Sequence, residues 1–434
     1  MDRRQSDKYS SPPKNVIVIG GSLSGLMHGL MLHRLGSTVR ILEQSPADTP
    51  RFDRVSEIPL GIASVQLQSL DQKGKVHPFL RVNRIMSSWD ALYFRLRANF
   101  DMRASDYVPY PRALEPPLAD EDGEAAQLRA RYEVGKQVVG VEHLETGQVT
   151  VRYKDLADGG KDGEALADLV IGADGPNSVV RRTFLEPGQA ERMYSGYVAW
   201  RGVVPETQVT KETRDVFRAN ITYSILKGEG GHVIVYNIPG AGGSIEPGER
   251  VLNFCWYTNV PLSSLDEIMT DVDGKRHHTN LPPGKVRAAV WEKQKAYAKM
   301  LFARPYLEVI EKINLPFLHQ ITDYCSPRAS FARGRVIIVG DALTLLRPHI
   351  AFSTNQAAYH TLLTERLVTG ELTAEEWEYQ VTTAAYLHWR RSVWFGEYFQ
   401  RPLYVSIKSA VLFWAISTLV RVKIWVGWLQ EQAT

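Results

Sequence analysis

The chain has 434 residues, 44% of them apolar and 23% charged, with a net charge of +3 at pH 7. That length leaves room for two domains or one large one with a sizeable core. A charge this small, with no block of like sign, argues against nucleic acid as a partner. The two cysteines, Cys255 and Cys325, show no CxxC or zinc-ligand spacing, and Cys255 inside LNFCWY reads as a buried apolar thiol. No oxidising compartment is demanded.

The opening residues MDRRQSDKYSSPPK are polar and lack the apolar stretch of a secretory signal, so a cytoplasmic location is expected. Asn15–Ile19 is a β-branched run, as a buried parallel strand requires. Beyond it, Leu23, Leu26, Leu30 and Leu35 recur near helical spacing as far as Gly36. Thr38–Gln44 reads as a second strand. Strand, glycine turn, helix and strand form the unit in which a phosphate sits at a helix N-terminus. Gly20 and Gly25 hold the outer positions of a G-x-G-x-x-G fingerprint, Ser22 holds the middle one, and Leu23 and Ser24 complete the loop. Glu43, with Gln44 beside it, ends the second strand where an acid accepts hydrogen bonds from ribose hydroxyls.

QVTVRYKD and ADLVIGADG read as further strands, the second running into Asp174–Gly175. From about Tyr194 to Val260, aromatic and β-branched runs separated by Gly/Pro turns predict a mainly antiparallel sheet. Its strands carry Arg201, Tyr223 and Tyr236, while Trp200, Phe254 and Trp256 read as core or pocket wall. After about Leu265 the pattern turns helical. GRVIIVGDA then returns to a buried strand closing on Gly340–Asp341, just before a predicted helix in NQAAYHTLLTERLVTG. The stretch Leu403–Leu429 is rich in large apolar residues, but Lys408, Arg421 and Lys423 interrupt it, and its uncharged run is too short to span a bilayer. A helix in a tertiary or dimer interface is expected there, with peripheral membrane contact as the alternative.

Each glycine–acid site is an ordinary turn by itself, but three in this order are specific. Together they resemble the group A flavoprotein monooxygenases, the family of para-hydroxybenzoate hydroxylase, over about Lys14–Arg401. GGSLSGL, YSGYVAWRGVV, LDEIMTDVDG and GRVIIVGDALTLLRPH resemble its pyridine-hydroxylase subgroup, in which the first loop also reads G-G-S-x-S-G. The resemblance implies a mixed α/β fold. A Rossmann-like FAD-binding domain from 14–190 and 321–400 carries an inserted, mostly antiparallel β-sheet substrate domain (191–320), and an apolar helical segment (401–434) follows. It implies FAD, with NADPH or NADH as cosubstrate. One oxygen atom from O2 enters an electron-rich aromatic substrate, phenol-like or N-heteroaromatic, through a C4a-hydroperoxyflavin. An epoxidase of alkenes or indoles, and a flavin reductase or dehydrogenase on the same fold, are the rival expectations.

Residue by residue, the resemblance puts Gly20, Ser22 and Gly25 at the FAD pyrophosphate and Glu43 at the adenosine ribose. Asp174 and Gly175 match a DG motif serving FAD and the nicotinamide cofactor. Gly340 and Asp341 match a GD motif with the aspartate on the ribityl chain, Pro348 stands beside the isoalloxazine, and Arg347 and His349 complete R-P-H. His349 is the candidate base for a substrate hydroxyl, and Arg201, Tyr223 and Tyr236 are candidate substrate contacts. No metal is expected, and a homodimer is. Two positions depart from the family pattern. Ser353 and Thr354 replace a glycine pair whose backbone N–H groups face the flavin N1–C2=O edge. Trp89 stands near where many members carry an arginine, with Arg95 or Arg97 as substitutes.

Overall fold

The computed structural model describes residues 8–45, 55–111, 130–218, 220–226 and 231–426. A six-stranded sheet orders Ser330–Phe331, Val336–Ile338, Leu169–Gly172, Asn15–Ile19, Thr38–Leu42 and Ala130–Glu133 side by side. All but the first pair run parallel. The strand Asn15–Ile19 buries Val16, Ile17, Val18 and Ile19 almost completely, because helices Leu23–Arg34 and Ser353–Val368 share a core with the sheet. Leu23–Arg34 is the predicted helix, and Gly36 beyond it adopts φ +90°.

The register of this sheet creates the site. Ile19 pairs with Gly172, and Ile338 pairs with Gly172 from the other side. Three strands remote in sequence therefore end at one level, and the turns that follow them emerge together at their C-terminal edge, where doubly wound folds bind ligands.

A second, larger sheet orders Asn280–Leu281, Phe317–Cys325, Met193–Pro205, Val251–Asn259, Gly231–Ile238, Asn220–Ile225, Val55–Leu70 and Val76–Ser88. Thr344–Leu345 also pairs with Phe317–Cys325. One face packs on helices Lys211–Phe217, Ala288–Leu301 and Arg304–Lys312, burying Trp200, Phe254 and Trp256. Two features differ from the boundaries read in the sequence. The strand Phe317–Cys325 crosses position 320, and the hairpin Val55–Ser88 joins this sheet from within 14–190 through a parallel pairing with Asn220–Ile225. Long-range parallel pairing leaves no local trace, which is why the hairpin is invisible in sequence order. A third sheet, Lys136–His143, Val149–Asp155 and Lys161–Ala167, is a simple antiparallel meander.

The helix Ala374–Gln400 starts on a capping box between Thr373 and Glu376. It buries Trp377, Val381 and Ala385 in the core of the parallel sheet. At its other end Gln400 hydrogen-bonds His232, and its carbonyl accepts from Asn259 of the large sheet. One element therefore fixes the two sheets relative to each other. The helix Leu403–Trp425 follows and folds back along it.

Candidate active site

Between the sheets lies a cavity of about 380 Å³, with the three turns at one end and strands of the large sheet at the other. At the turn end, Gly20 has φ +98°, and a Cβ there would lie 2.4 Å from the Ala173 carbonyl oxygen. A Cβ on Gly25 would lie 1.9 Å from the Gly20 carbonyl oxygen. Both positions therefore admit only glycine, which brings the helix N-terminus against the turn. Ser22 occupies the N-cap without using its hydroxyl to cap, and the first turn of the helix carries no acid. The Ser24 hydroxyl is buried with no partner among the described residues. Ser22, Leu23 and Ser24 line the cavity. An unneutralised helix N-terminus with two hydroxyls beside it suits a phosphate.

Glu43 does not reach the cavity. Its carboxylate accepts the N–H of Gly21 at 2.8 Å and of Ser45 at 2.9 Å, closing the edge of the glycine turn, and Gln44 is exposed. Asp174 also serves backbone, accepting N–H groups from Val179 at 2.6 Å and Val180 at 3.2 Å. Burial raises its pKa, and its Oδ1 has no partner among the described residues. Gly175 and Pro176 line the cavity behind it.

Gly340 and Asp341 both line the cavity. The Gly340 N–H donates to His360 Nδ1 at 3.0 Å, and the Gln356 side-chain amide donates to the Thr344 carbonyl at 2.9 Å. These two residues on helix Ser353–Val368 fix that turn from behind. Ser353 and Thr354 line the cavity from the first turn of the same helix, again with no acid there. The serine–threonine replacement thus keeps the helix N-terminus aimed at the site.

Arg347, Pro348 and His349 run along the junction of the two ends. Arg347 Nε donates to Asp323 Oδ2 at 2.6 Å, and the same carboxylate receives Trp389 Nε1 at 2.8 Å and Ser195 Oγ at 3.1 Å. Pro348 and His349 line the cavity. His349 Nε2 lies 2.7 Å from Tyr197 Oη, whereas Nδ1 is buried without a partner among the described residues. Burial, with His232 and Arg347 nearby, holds the His349 pKa well below the usual imidazole value. The ring is therefore neutral at pH 7, with one nitrogen free to accept.

The far wall brings together Arg201, Tyr223 and Tyr236, each predicted, with His232, Asn253, Tyr257, His319 and Phe399, none of them predicted. Arg201 approaches Asn253 Oδ1 at 3.4 Å. The phenols of Tyr223 and Tyr236 are pushed upward by burial, Tyr223 to about 12. Tyr223 stacks on Phe399 with centroids 5.8 Å apart, and His232 stacks on Tyr257 at 4.6 Å. Cys255 is buried, as the sequence suggested, and lines this wall.

Trp89 lines the cavity, but neither Arg95 nor Arg97 does. Arg95 donates to the Ala91 carbonyl, and Arg97 is held by Asp101 at 2.7 Å and Tyr93 Oη at 3.0 Å. Besides Arg201, the arginines that line the cavity are Arg84, from the hairpin, and Arg192. Alternation along Val76–Ser88 was the available signal, and it becomes informative only once that strand is placed in the sheet.

A protein-family model described as FAD binding domain-like matches residues 194–323. 2,6-Dihydroxypyridine 3-monooxygenase of Paenarthrobacter nicotinovorans is 31% identical over 354 residues, covering 77% of this chain and 78% of that one. 3-Amino-4-hydroxybenzoate 2-monooxygenase of Streptomyces cremeus is 27% identical, covering 79% and 75%. The protein belongs to the FAD-dependent aromatic monooxygenases. Among solved structures, 2,6-dihydroxypyridine-3-hydroxylase from Arthrobacter nicotinovorans matches with a TM-score of 0.73 and 27% identity over 90% of this chain and 94% of that one. FAD is accordingly the cofactor.

Proposed function

We propose that the protein hydroxylates a small phenol-like or N-heteroaromatic compound, using NADPH or NADH as electron donor, with the ring held between the Pro348–His349 segment and the far wall. The observation that carries this reading is the convergence of a neutral His349, with an unpartnered nitrogen, and Arg201, Asn253 and His319 on one cavity beside the glycine turns. Apolar Met86, Ile221, Ile234 and Ile321 line the same cavity and suit the faces of a ring. The similar enzymes named above act on hydroxylated pyridine and benzoate rings, which supports the same substrate class.

FAD, when bound, supplies reduction by nicotinamide and the activation of O2. The residues fitted to hold it are Ser22, Leu23 and Ser24 with Gly20 and Gly25 behind them, Gly175, Gly340–Asp341, Pro348 and the Ser353–Thr354 turn. Glu43 and Asp174 act by fixing backbone, and Gln44 lies at the exposed edge.

The protein's own chemical task is to make the ring a better nucleophile. In the tautomer where His349 Nε2–H donates to Tyr197 Oη, Nδ1 accepts a hydrogen bond from a substrate hydroxyl and draws electron density onto its oxygen. Arg347 also donates to the Tyr197 oxygen, which keeps a second lone pair for the histidine N–H in that tautomer. Arg201 and Asn253 orient the other polar substituents, and Tyr223 and Tyr236 close the wall against water.

The decisive experiment is turnover of hydroxypyridines and hydroxybenzoates with NAD(P)H under 18O2. One labelled oxygen atom in the product is expected. Product formed without label would eliminate the monooxygenase reading and leave a dehydrogenase.

A further inference from the structure

The helix Leu403–Trp425 is built inside out for a water-exposed element. The side it buries carries Ser406, Ser409 and Ser417 with Phe413 and Val420, whereas large apolar side chains face outward. Tyr404, Val411, Leu419 and Trp425 are 75%, 65%, 62% and 86% exposed. An ordinary surface helix has the opposite pattern. An apolar face this continuous marks an interaction surface rather than scattered exposure.

Length and hydropathy would allow the helix to cross a bilayer, with mean hydropathy 1.7 over its best window. Its packing requires it to lie flat. Ser409 hydrogen-bonds Glu397, Phe413 stacks on Trp394 at 5.3 Å, Val420 clusters with Leu387, and Lys423 Nζ donates to Tyr379 Oη at 2.7 Å. These contacts run antiparallel down helix Ala374–Gln400, whose other side is core of the FAD-binding sheet. The C-terminal helix cannot leave this bed without unpacking it.

The charge pattern selects the partner. Residues 403–426 contain Lys408, Arg421 and Lys423 and no Asp or Glu. Lys408 and Arg421 are exposed, and Tyr404 and Trp425 stand near the two ends, where amphipathic rings favour a headgroup layer. We propose that this face docks in plane on an anionic lipid bilayer, its apolar side chains entering the acyl boundary and its cations meeting lipid phosphates.

The test is co-sedimentation of the FAD-loaded enzyme with vesicles of phosphatidylcholine alone or mixed with phosphatidylglycerol. Binding to the mixed vesicles and its weakening by salt are expected. Val411→Glu with Val422→Glu should reduce the bound fraction about tenfold or more, since two apolar contacts are replaced by charge, while flavin absorbance and turnover stay unchanged. Should that variant lose flavin, Val411→Ser with Val422→Ser gives the same comparison with less perturbation. Protein left in the supernatant with both vesicles overturns the proposal, and so does equal binding to neutral vesicles. A wild-type dimer that becomes monomeric in the variant assigns the face to a second copy of the chain and overturns it too.

Discussion

The two ends of the cavity are made differently. At the end proposed for the flavin the walls are turns: Gly20–Ser24, Ala173–Pro176 and Gly340–Asp341, each closing one of three adjacent parallel strands. At the end proposed for the substrate the walls are side chains, drawn from strands as far apart as those bearing Arg84 and His319. Turns of this kind are specified by conformational limits of a few residues, so they tolerate little substitution. A wall of side chains keeps its backbone whatever stands on it. It is therefore where one family member can differ from the next in substrate.

The strongest way to break this contrast is at Gly25. Gly25→Val drives a side chain into the Gly20 carbonyl, and the expected outcome is protein purified without flavin absorbance. Gly36→Ala is the internal control, because it lies away from the cavity, a Cβ there meets nothing within 4 Å, and only the cost of φ +90° remains, about 1 kcal/mol. Full flavin occupancy in Gly25→Val would mean that the turn is not the cofactor's seat.

On the substrate side, His349→Ala should lower turnover by about tenfold while leaving flavin occupancy intact, the worth of one hydrogen bond to a reacting group. Equal loss of flavin and activity would move His349 to the flavin side of the comparison. His349→Gln, which keeps an acceptor, should recover part of the rate.

Asp323 joins the two ends through Arg347, the residue before Pro348. Its side chain is 1% exposed and receives bonds from Arg347, Trp389 and Ser195. Asp323→Ala strands a buried guanidinium, and a loss of about 3–5 kcal/mol in denaturant unfolding is expected. A shift below about 1 kcal/mol would show that water reaches Arg347.

How much of this was legible follows from the same distinction. Asn15–Ile19, the helix after it and the strands running into Asp174 and Gly340 could be read directly, because hydrophobic period and glycine placement are local properties. That Glu43 and Asp174 also accept backbone N–H groups was not legible, since bonds to a turn's own amides leave no mark in the sequence. His232, Asn253, Tyr257 and His319 were missed for a different reason. Each lies on a strand whose inward face is set by register with strands 20 to 120 residues away, as in the pairing of Trp200 with Trp256 and with Leu318. Arg84 needed the hairpin's parallel pairing with Asn220–Ile225 before its direction had meaning.

Acidification tests the flavin side more gently. His360 Nδ1 accepts from Gly340 N–H, which requires a neutral ring, and His28 Nδ1 lies 2.7 Å from the Ser24 carbonyl. Burial lowers the His28 pKa to about 4, and holds His360 well below its usual value. Because these folded values lie below that of an unfolded histidine, the unfolded state takes up more protons as pH falls. Stability present above about pH 6.5 is then lost toward pH 4, at about 1.4 kcal/mol per pH unit for each such group. Flavin fluorescence should rise over that window as FAD is released. Retention of FAD unchanged from pH 7 to 4 would show that neither histidine supports its turn.

The smallest expected effect separates two arginines. Arg84 lines the cavity, and its charge lowers the phenol of Tyr223 against the upward push of burial. Arg97 is locked outside by Asp101 and by the face of Tyr132, 3.4 Å from the ring centroid. Arg84→Met should therefore raise KM for an anionic substrate or for NAD(P)H about fivefold, equivalent to about 1 kcal/mol, with kcat and flavin content little changed and the difference fading in high salt. Arg97→Met should leave KM alone and lower the unfolding midpoint, because what it removes is a buried guanidinium's ion pair to Asp101 and a cation–π contact. The reverse result, KM moved by Arg97 and not by Arg84, would place the cation that meets the anion on the helix Trp89–Asp101 rather than on the hairpin.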